Sequence, residues 1–148
     1  MKATIKRTKL KDDAIVTLFY ELDVDFIKRI EENVEITSYS KKLAENANFI
    51  IAIKDNGTVA CLAYYINQIK SEIYIPYICV GVEYRGLGLG EMMLADVCNY
   101  ADQESMSISL EVLENNNRAI ALYKKFGFKE CHLNNGTDKI YMTRLVKM

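Results

Sequence analysis

The sequence has few of the residues from which metal and redox sites are built. It contains one histidine and four cysteines, and no two cysteines form a CxxC pair. Structural zinc sites need closely spaced cysteine and histidine ligands, so we expect no metal site. The cysteines are far apart and mostly lie in apolar runs, which favours reduced, buried thiols in a cytoplasmic protein. They are Cys61, Cys79, Cys98 and Cys131.

A strong charge of one sign and long apolar runs are also absent. The formal net charge is -1 and the sequence pI is about 5.9. A general nucleic-acid binder usually carries a basic excess, so we expect no nucleic-acid partner. No apolar stretch is long enough to cross a bilayer, and the charged first residues have no apolar core of the kind that signal peptides contain. The sequence therefore predicts a cytoplasmic protein with no membrane partner.

The length and composition favour one packed domain over residues 1–148. Half of the 148 residues are hydrophobic and 26% are charged. A chain of this size and composition can bury a core, and it contains no repeat, linker or low-complexity tract.

Hydrophobic spacing predicts helices first and then a series of strands. Residues 11–32 have helical spacing, interpreted as two helices broken near Asp23–Asp25, and Ser38 is a candidate cap for a helix to about Asn46. Two β-rich runs within 49–66 flank Asp55-Asn56-Gly57, which is a strong hairpin signal. The later predicted elements are strand 73–82, helix 89–102, strand 107–113, helix 117–126 and strand 139–146. This order indicates an α/β protein, a mixed sheet with helices on both faces.

A glycine-rich stretch lies where a predicted strand becomes a helix. It reads Arg85-Gly86-Leu87-Gly88-Leu89-Gly90. The first amides of a helix have no partners within it, and glycine lets an anion approach the main chain closely, so a pyrophosphate would fit there. A tight turn without a ligand is the alternative. The P-loop pattern fails because Glu91 and Met92 follow Gly90, and the dinucleotide fingerprint fails because its third glycine would fall at Glu91.

A third pattern, Arg-x-x-Gly-x-Gly, matches this stretch, and it resembles the acetyl-coenzyme A site of the GNAT superfamily of N-acetyltransferases. A second segment, "LEVLENNNRAIALYKKFGF" at 110–128, is similar to the strand, loop and helix that follow in that family. Its matching positions are Asn116, Ala119, Leu122-Tyr123 and Gly127-Phe128. One departure is Val82, which stands where the family often has proline.

The resemblance implies a GNAT-like fold whose central sheet splays apart at the acetyl-coenzyme A site. The amides of Gly86 to Gly90 would hold the pyrophosphate, and Arg85 would hold the loop or contact the phosphates. Backbone groups near Val80, Gly81 and Val82 would bond the pantetheine arm, and one would polarise the thioester carbonyl. The side chains of Val80 and Val82 are expected to pack in the core. Asn116 would bond the arm or, alternatively, cap the helix.

Two further residues receive catalytic roles from the resemblance. Tyr123 takes the place of the general acid beside the cofactor, although its ring could simply pack between helix and sheet. Glu111 has the spacing to Tyr123 of the base in GNAT enzymes that acetylate the N-terminus of a ribosomal protein. A structural or edge-exposed glutamate is the alternative.

The function that this resemblance implies is transfer of acetyl from acetyl-coenzyme A to a primary amine by direct attack in a ternary complex. The acceptor stays open between an amino sugar, another small-molecule amine, and a peptide or protein amine. A non-catalytic acyl-coenzyme A sensor or scaffold is the alternative function. Dimers are common among similar proteins, so a homodimer is considered.

Overall fold

The computed structural model describes residues 3–23, 36–131 and 137–146. Within them the strands form a mixed seven-stranded sheet in the order β1-β2-β3-β4-β5-β7-β6, which confirms the predicted fold class. The elements are β1 (Thr4–Thr8), α1 (Asp12–Leu22), α2 (Ile36–Asn46), β2 (Asn48–Lys54), β3 (Gly57–Asn67), β4 (Glu72–Val80), α3 (Leu89–Gln103), β5 (Ser107–Leu113), α4 (Asn117–Lys125), β6 (Lys129–Cys131) and β7 (Lys139–Arg144). A short 3₁₀ helix, Val82–Tyr84, follows β4.

The chain divides into two compact units. The first unit comprises Met1–Tyr64 and Tyr77–Met93, and the second comprises Tyr65–Pro76 and Leu94–Met148. The prediction of a single domain over residues 1–148 stays a prediction. No helix in the described part of the chain has the length and apolar character that crossing a membrane requires.

The first unit is built on antiparallel strands. Strand β1 pairs with β2, and β2 pairs with β3 through the hairpin. Asp55 and Asn56 have φ values of 54° and 66°, and positive φ at both central residues is what a type I′ turn requires. Helix α1 buries Phe19, whose ring meets the ring of Tyr77 edge-on at 5.0 Å.

The second unit contains the parallel pair of the sheet. Residues Glu72–Ile75 of β4 pair with Ser107–Leu110 of β5, and β5 then pairs antiparallel with β7. Pro76 follows the last of these parallel pairs, and proline has no N–H to donate to a ladder. Buried apolar side chains of this unit include Leu94, Val97, Ile108, Leu110, Phe128 and Met142.

The structure corrects several predicted boundaries. Strand β1 was not predicted. Helix α2 begins at Ile36, so Ser38 lies inside its first turn and is not its cap. Strand β4 ends at Val80 rather than at residue 82, because the chain turns into the 3₁₀ helix at Val82. The predicted break near Asp23–Asp25 and the helix after it fall almost wholly outside the described residues.

Candidate active site

The glycine loop leaves β4 through a tightly packed residue. The Gly81 N–H donates to Val59 O at 2.9 Å, so Gly81 extends the pairing between β3 and β4. A Cβ at Gly81 would lie 3.2 Å from both Leu22 Cδ2 and Val59 O. Its φ is -55°, so Gly81 is glycine because of close packing rather than because of its backbone conformation.

Two other glycines of the loop are required by the backbone. Gly86 and Gly88 have φ values of 81° and 80°, in the region that residues with a Cβ rarely adopt. A Cβ at either position would have no atom within 4 Å. Here the conformation, not crowding, selects glycine.

The main chain that enters α3 carries unpaired amide groups. Met92 N–H donates to Gly88 O at 3.0 Å, which closes the first turn. Among the described residues, the N–H groups of Gly88, Leu89 and Gly90 have no backbone acceptor. Unpaired amides at the positive end of a 15-residue helix form a site suited to an anion.

Arg85 connects the glycine loop to the end of β4 by a side-chain hydrogen bond. Its Nε donates to Val80 O at 3.2 Å, while the Nη atoms have no hydrogen-bond acceptor in the described part of the chain. The side chain is exposed. Two apolar side chains beside it are exposed as well, Val82 by 71% and Leu87 by 57%. The expectation that Val82 packs in the core is therefore wrong, because the 3₁₀ turn directs its side chain to the surface. Val80 is half-buried.

In the second unit, Asn116 is the N-cap of α4. Its Oδ1 accepts a hydrogen bond from Ala119 N–H at 3.2 Å, as N-cap side chains do. The capping interpretation of Asn116 is confirmed by this bond. The bond leaves the Nδ2 group of the exposed side chain available, so capping does not exclude a cofactor contact.

Tyr123 lies on the last turns of α4, with its ring buried. The residue is 6% exposed, and burial raises the pKa of its hydroxyl to about 12. The ring packs against Phe128, which follows the helix, at a centroid distance of 5.8 Å. The Tyr123 hydroxyl has no hydrogen-bond partner among the described residues. It is also not among their fully buried polar side-chain atoms that lack a hydrogen bond, a group that contains only Ser40 Oγ. The Tyr123 hydroxyl therefore keeps contact with solvent.

Glu111 is exposed on β5, and its carboxylate has a partner in the same unit. Tyr74 of β4 donates its hydroxyl to Glu111 Oε1 at 3.3 Å. In the sheet register, Glu111 also stands opposite Tyr141 of β7. The side chain is thus exposed and hydrogen-bonded, although β5 lies between β4 and β7 and is not an edge strand of the sheet.

Sequence reasoning missed a partly buried ion pair in the second unit. Arg144 of β7 binds Asp102 of α3 through two bonds of 3.0 and 2.9 Å. The predicted site residues divide between the units as follows: Val80 through Gly90 belong to the first, and Glu111, Asn116 and Tyr123 belong to the second. Three cysteines are buried and Cys131 is half-buried, and all four are free thiols, as expected. Within the described ranges, no group of three potential metal ligands was found.

Comparisons with known proteins identify similar chains. Residues 15–128 match the model of the acetyltransferase (GNAT) family. The chain is 31% identical over 118 residues to the "Probable N-acetyltransferase san" of Drosophila melanogaster, which aligns 70% of this chain with only 61% of the fly protein. It is 29% identical over 136 residues to the "Putative ribosomal protein bS18-alanine N-acetyltransferase" of Bacillus subtilis, covering 81% of this chain and 87% of that protein.

A solved structure has the same fold. The PaiA N-acetyltransferase of Thermoplasma acidophilum, in complex with coenzyme A, aligns with a TM-score of 0.73 at 16% identity. The alignment covers 96% of this chain and 99% of that one.

Proposed function

This chain belongs to the acetyltransferase (GNAT) family, and from that premise we propose that it transfers the acetyl group of acetyl-coenzyme A to a primary amine by direct attack in a ternary complex. The observation that carries the proposal is the set of unpaired amides at Gly88, Leu89 and Gly90. Three N–H donors at a helix N-terminus suit the pyrophosphate of the cofactor. The Nη groups of Arg85 add a positive charge beside them.

The backbone of β4 is proposed to bind the pantetheine arm and the thioester. The Gly81 amide already donates to Val59 O, so it is not the oxyanion donor. Successive amides along a strand point to opposite sides, so the Val80 N–H points away from β3. We assign Val80 N–H the role of polarising the thioester carbonyl, with Val82 and the Nδ2 group of Asn116 as further contacts to the arm.

Tyr123 is proposed to protonate the departing thiolate. A pKa of about 12 keeps the phenol protonated at every pH at which the acceptor amine works. The hydroxyl is not committed to another described group, so it is free to donate to sulfur. Proton transfer from a positioned side chain typically contributes between 10² and 10⁴ in rate.

A covalent relay through cysteine is disfavoured. Cys79 is the thiol nearest in sequence to the loop, and burial raises its pKa to about 11, although a hydrogen bond with Tyr77 lowers that pKa in part. Burial raises the pKa of the Cys61 thiol further. Both thiols stay protonated near neutral pH, and the thiolate is the nucleophilic form. Direct attack by the amine requires neither.

The acceptor is proposed to be the α-amine of a peptide. The support is the spacing of Glu111 to Tyr123 and the likeness to the Bacillus subtilis protein, whose name gives an alanine of a ribosomal protein as its acceptor. An α-amine has a pKa near 8, against about 10.4 for a lysine side chain. An α-amine therefore loses its proton easily near neutral pH, and Glu111 is proposed to accept that proton through a water relay.

The proposal is tested with a panel of amines and a parallel binding assay. Thiol release from acetyl-coenzyme A is measured with peptides, lysine derivatives and amino sugars, and cofactor affinity is measured by calorimetry. We expect turnover with peptide N-termini. Cofactor binding without turnover on any amine would instead favour the acyl-coenzyme A sensor, and absence of binding would contradict both functions.

The role of Tyr123 has its own test. Tyr123→Phe removes only the hydroxyl, so we expect kcat to fall roughly 10²-fold or more while acetyl-coenzyme A affinity is unchanged. An unchanged kcat on an acceptor for which the chemical step limits the rate would exclude Tyr123 as the acid.

A further inference from the structure

The helix that carries Tyr123 ends in a cap built on Tyr123 itself. Phe128 N–H donates to Tyr123 O at 3.1 Å, and Gly127 N–H donates to Lys124 O at 3.0 Å. Gly127 has a φ of 95°, and the Tyr123 and Phe128 rings are in contact. These are the two hydrogen bonds, the left-handed glycine and the apolar contact of a Schellman motif. The backbone and the ring of Tyr123 are thus both held by the helix end.

Arg144 supports the same turn from β7. Its Nε donates to Phe126 O at 3.0 Å. This carbonyl lies at the end of the helix, where no following turn supplies an N–H donor. Its side chain also runs along Gly127, where a Cβ would lie 3.9 Å from Arg144 Cγ. The guanidinium therefore fixes the last carbonyl of the cap, next to its glycine.

Asp102 holds Arg144 in this orientation. The two Nη atoms of Arg144 donate to the two carboxylate oxygens of Asp102, a paired geometry that restricts both side chains. The Arg144 side chain is only 7% exposed, and Asp102 is 31% exposed. Since it bonds both Asp102 and Phe126 O, the Arg144 side chain connects β7 to the end of α3 and the end of α4.

We propose that Arg144, oriented by Asp102, is a positioning residue for Tyr123: it fixes the final turn of α4 and so the direction of the Tyr123 hydroxyl. The catalytic consequence rests on the proposed acid role of Tyr123. Partly exposed ion pairs contribute little net stability in many proteins, so a geometric role accounts better for a guanidinium that bonds the cap directly. A misplacement of about 1 Å at a reacting group can cost as much as 10²-fold in rate.

The test compares three variants. Arg144→Met removes all three bonds. Arg144→Lys keeps the charge but, as a point charge without the planar fork, cannot bond Asp102 twice and Phe126 O together. Lys124→Met is the matched control, because it removes an exposed ion pair with Glu130 from the same helix end. Arg144→Lys carries the test if Arg144→Met does not fold.

Two readouts separate positioning from stability alone. The first is the nuclear magnetic resonance spectrum of protein made with isotope-labelled tyrosine, in which the Tyr123 ring signal is identified by its loss in Tyr123→Phe. The second is kcat, with acetyl-coenzyme A affinity measured in parallel. We expect Arg144→Lys to shift the Tyr123 signal and lower kcat about tenfold or more without changing cofactor affinity. Lys124→Met should change neither, and Arg144→Lys should have no further effect on kcat in a Tyr123→Phe background.

Each outcome decides one question. A Tyr123 signal in Arg144→Lys that matches the wild type would overturn the positioning role, whatever happens to kcat. A shifted signal with an unchanged kcat in both Arg144→Lys and Tyr123→Phe would support positioning and remove Tyr123 from the acid role.

Discussion

The start of helix α3 and the end of helix α4 differ in how far protein groups satisfy their polar main-chain atoms. At the start of α3, the amides of Gly88, Leu89 and Gly90 have no protein acceptor in the described part of the chain. At the start of α4, Asn116 caps Ala119 N–H, and at its end the cap and Arg144 satisfy the carbonyls of Tyr123, Lys124 and Phe126. A helix end completed by protein groups holds a side chain in place, whereas an end left open offers donors to a ligand.

A glycine with positive φ lies at the start of α3, where amides are unpaired, and another lies at the end of α4, where the carbonyls are satisfied. The first prediction replaces each of these two glycines by valine. Gly88→Val and Gly127→Val both force a branched residue into left-handed backbone, near 80° and 95°. We expect only Gly88→Val to weaken acetyl-coenzyme A binding. The expected loss is roughly 10²-fold, because about two charge-assisted hydrogen bonds to the cofactor are lost. Titration calorimetry on both proteins measures this difference. Equal affinity in the two variants would show that the open amides do not hold the cofactor.

The second prediction concerns the burial of Tyr123 near the end of α4 and its effect on stability at high pH. Its pKa is about 12 in the folded protein and near 10 when unfolded, so between these values only the unfolded chain ionises. The contribution of Tyr123 to stability is therefore complete below pH 10 and is lost as the pH rises through 12, by about 2 to 3 kcal/mol. Denaturant unfolding of the wild type and of Tyr123→Phe, at about pH 10 and about pH 12, measures this loss in the free energy of unfolding. The stability of the wild type should fall more steeply than that of the variant, and parallel curves would contradict the burial.

The third and smallest effect is expected at Asn116. Asn116→Ala removes the N-cap and should lower the free energy of unfolding by about 1 kcal/mol, whereas Asn116→Ser keeps a capping oxygen and should restore most of it. Both variants lack Nδ2, so both should weaken acetyl-coenzyme A binding, about three- to tenfold for one lost hydrogen bond. Full affinity in Asn116→Ser would limit Asn116 to capping.

Local signals allowed much of the fold to be predicted. The hairpin follows from Asp55-Asn56-Gly57, because that tripeptide favours a turn regardless of its surroundings. Strand β5 and helix α4 have clear periodicity and were placed within one residue. Strand β1 was missed because Thr4–Thr8 carries two basic residues and no buried face, so its sequence lacks the alternation that indicates a strand.

The candidate site could be predicted only in part, because several of its contacts join distant residues. Arg144 and Asp102 are 42 positions apart, and Tyr74 and Glu111 are 37 positions apart. No local pattern links such residues, since their pairing follows from the register of the sheet and the placement of helices. The exposed side chain of Val82 was missed for a related reason, because the chain leaves β4 two residues earlier than its apolar run suggests.

The sequence by itself determined where glycine is unavoidable, where the turn and helix signals lie, and to which family residues 73–128 are similar. These are properties of backbone sterics and local spacing, and they act within a few residues. Tertiary structure alone decided how far Tyr123 is buried, which partner Glu111 has, and that Arg144 supports the end of α4. Burial and ion pairing arise from segments far apart in the chain, so they exist only once the sheet and its helices have assembled.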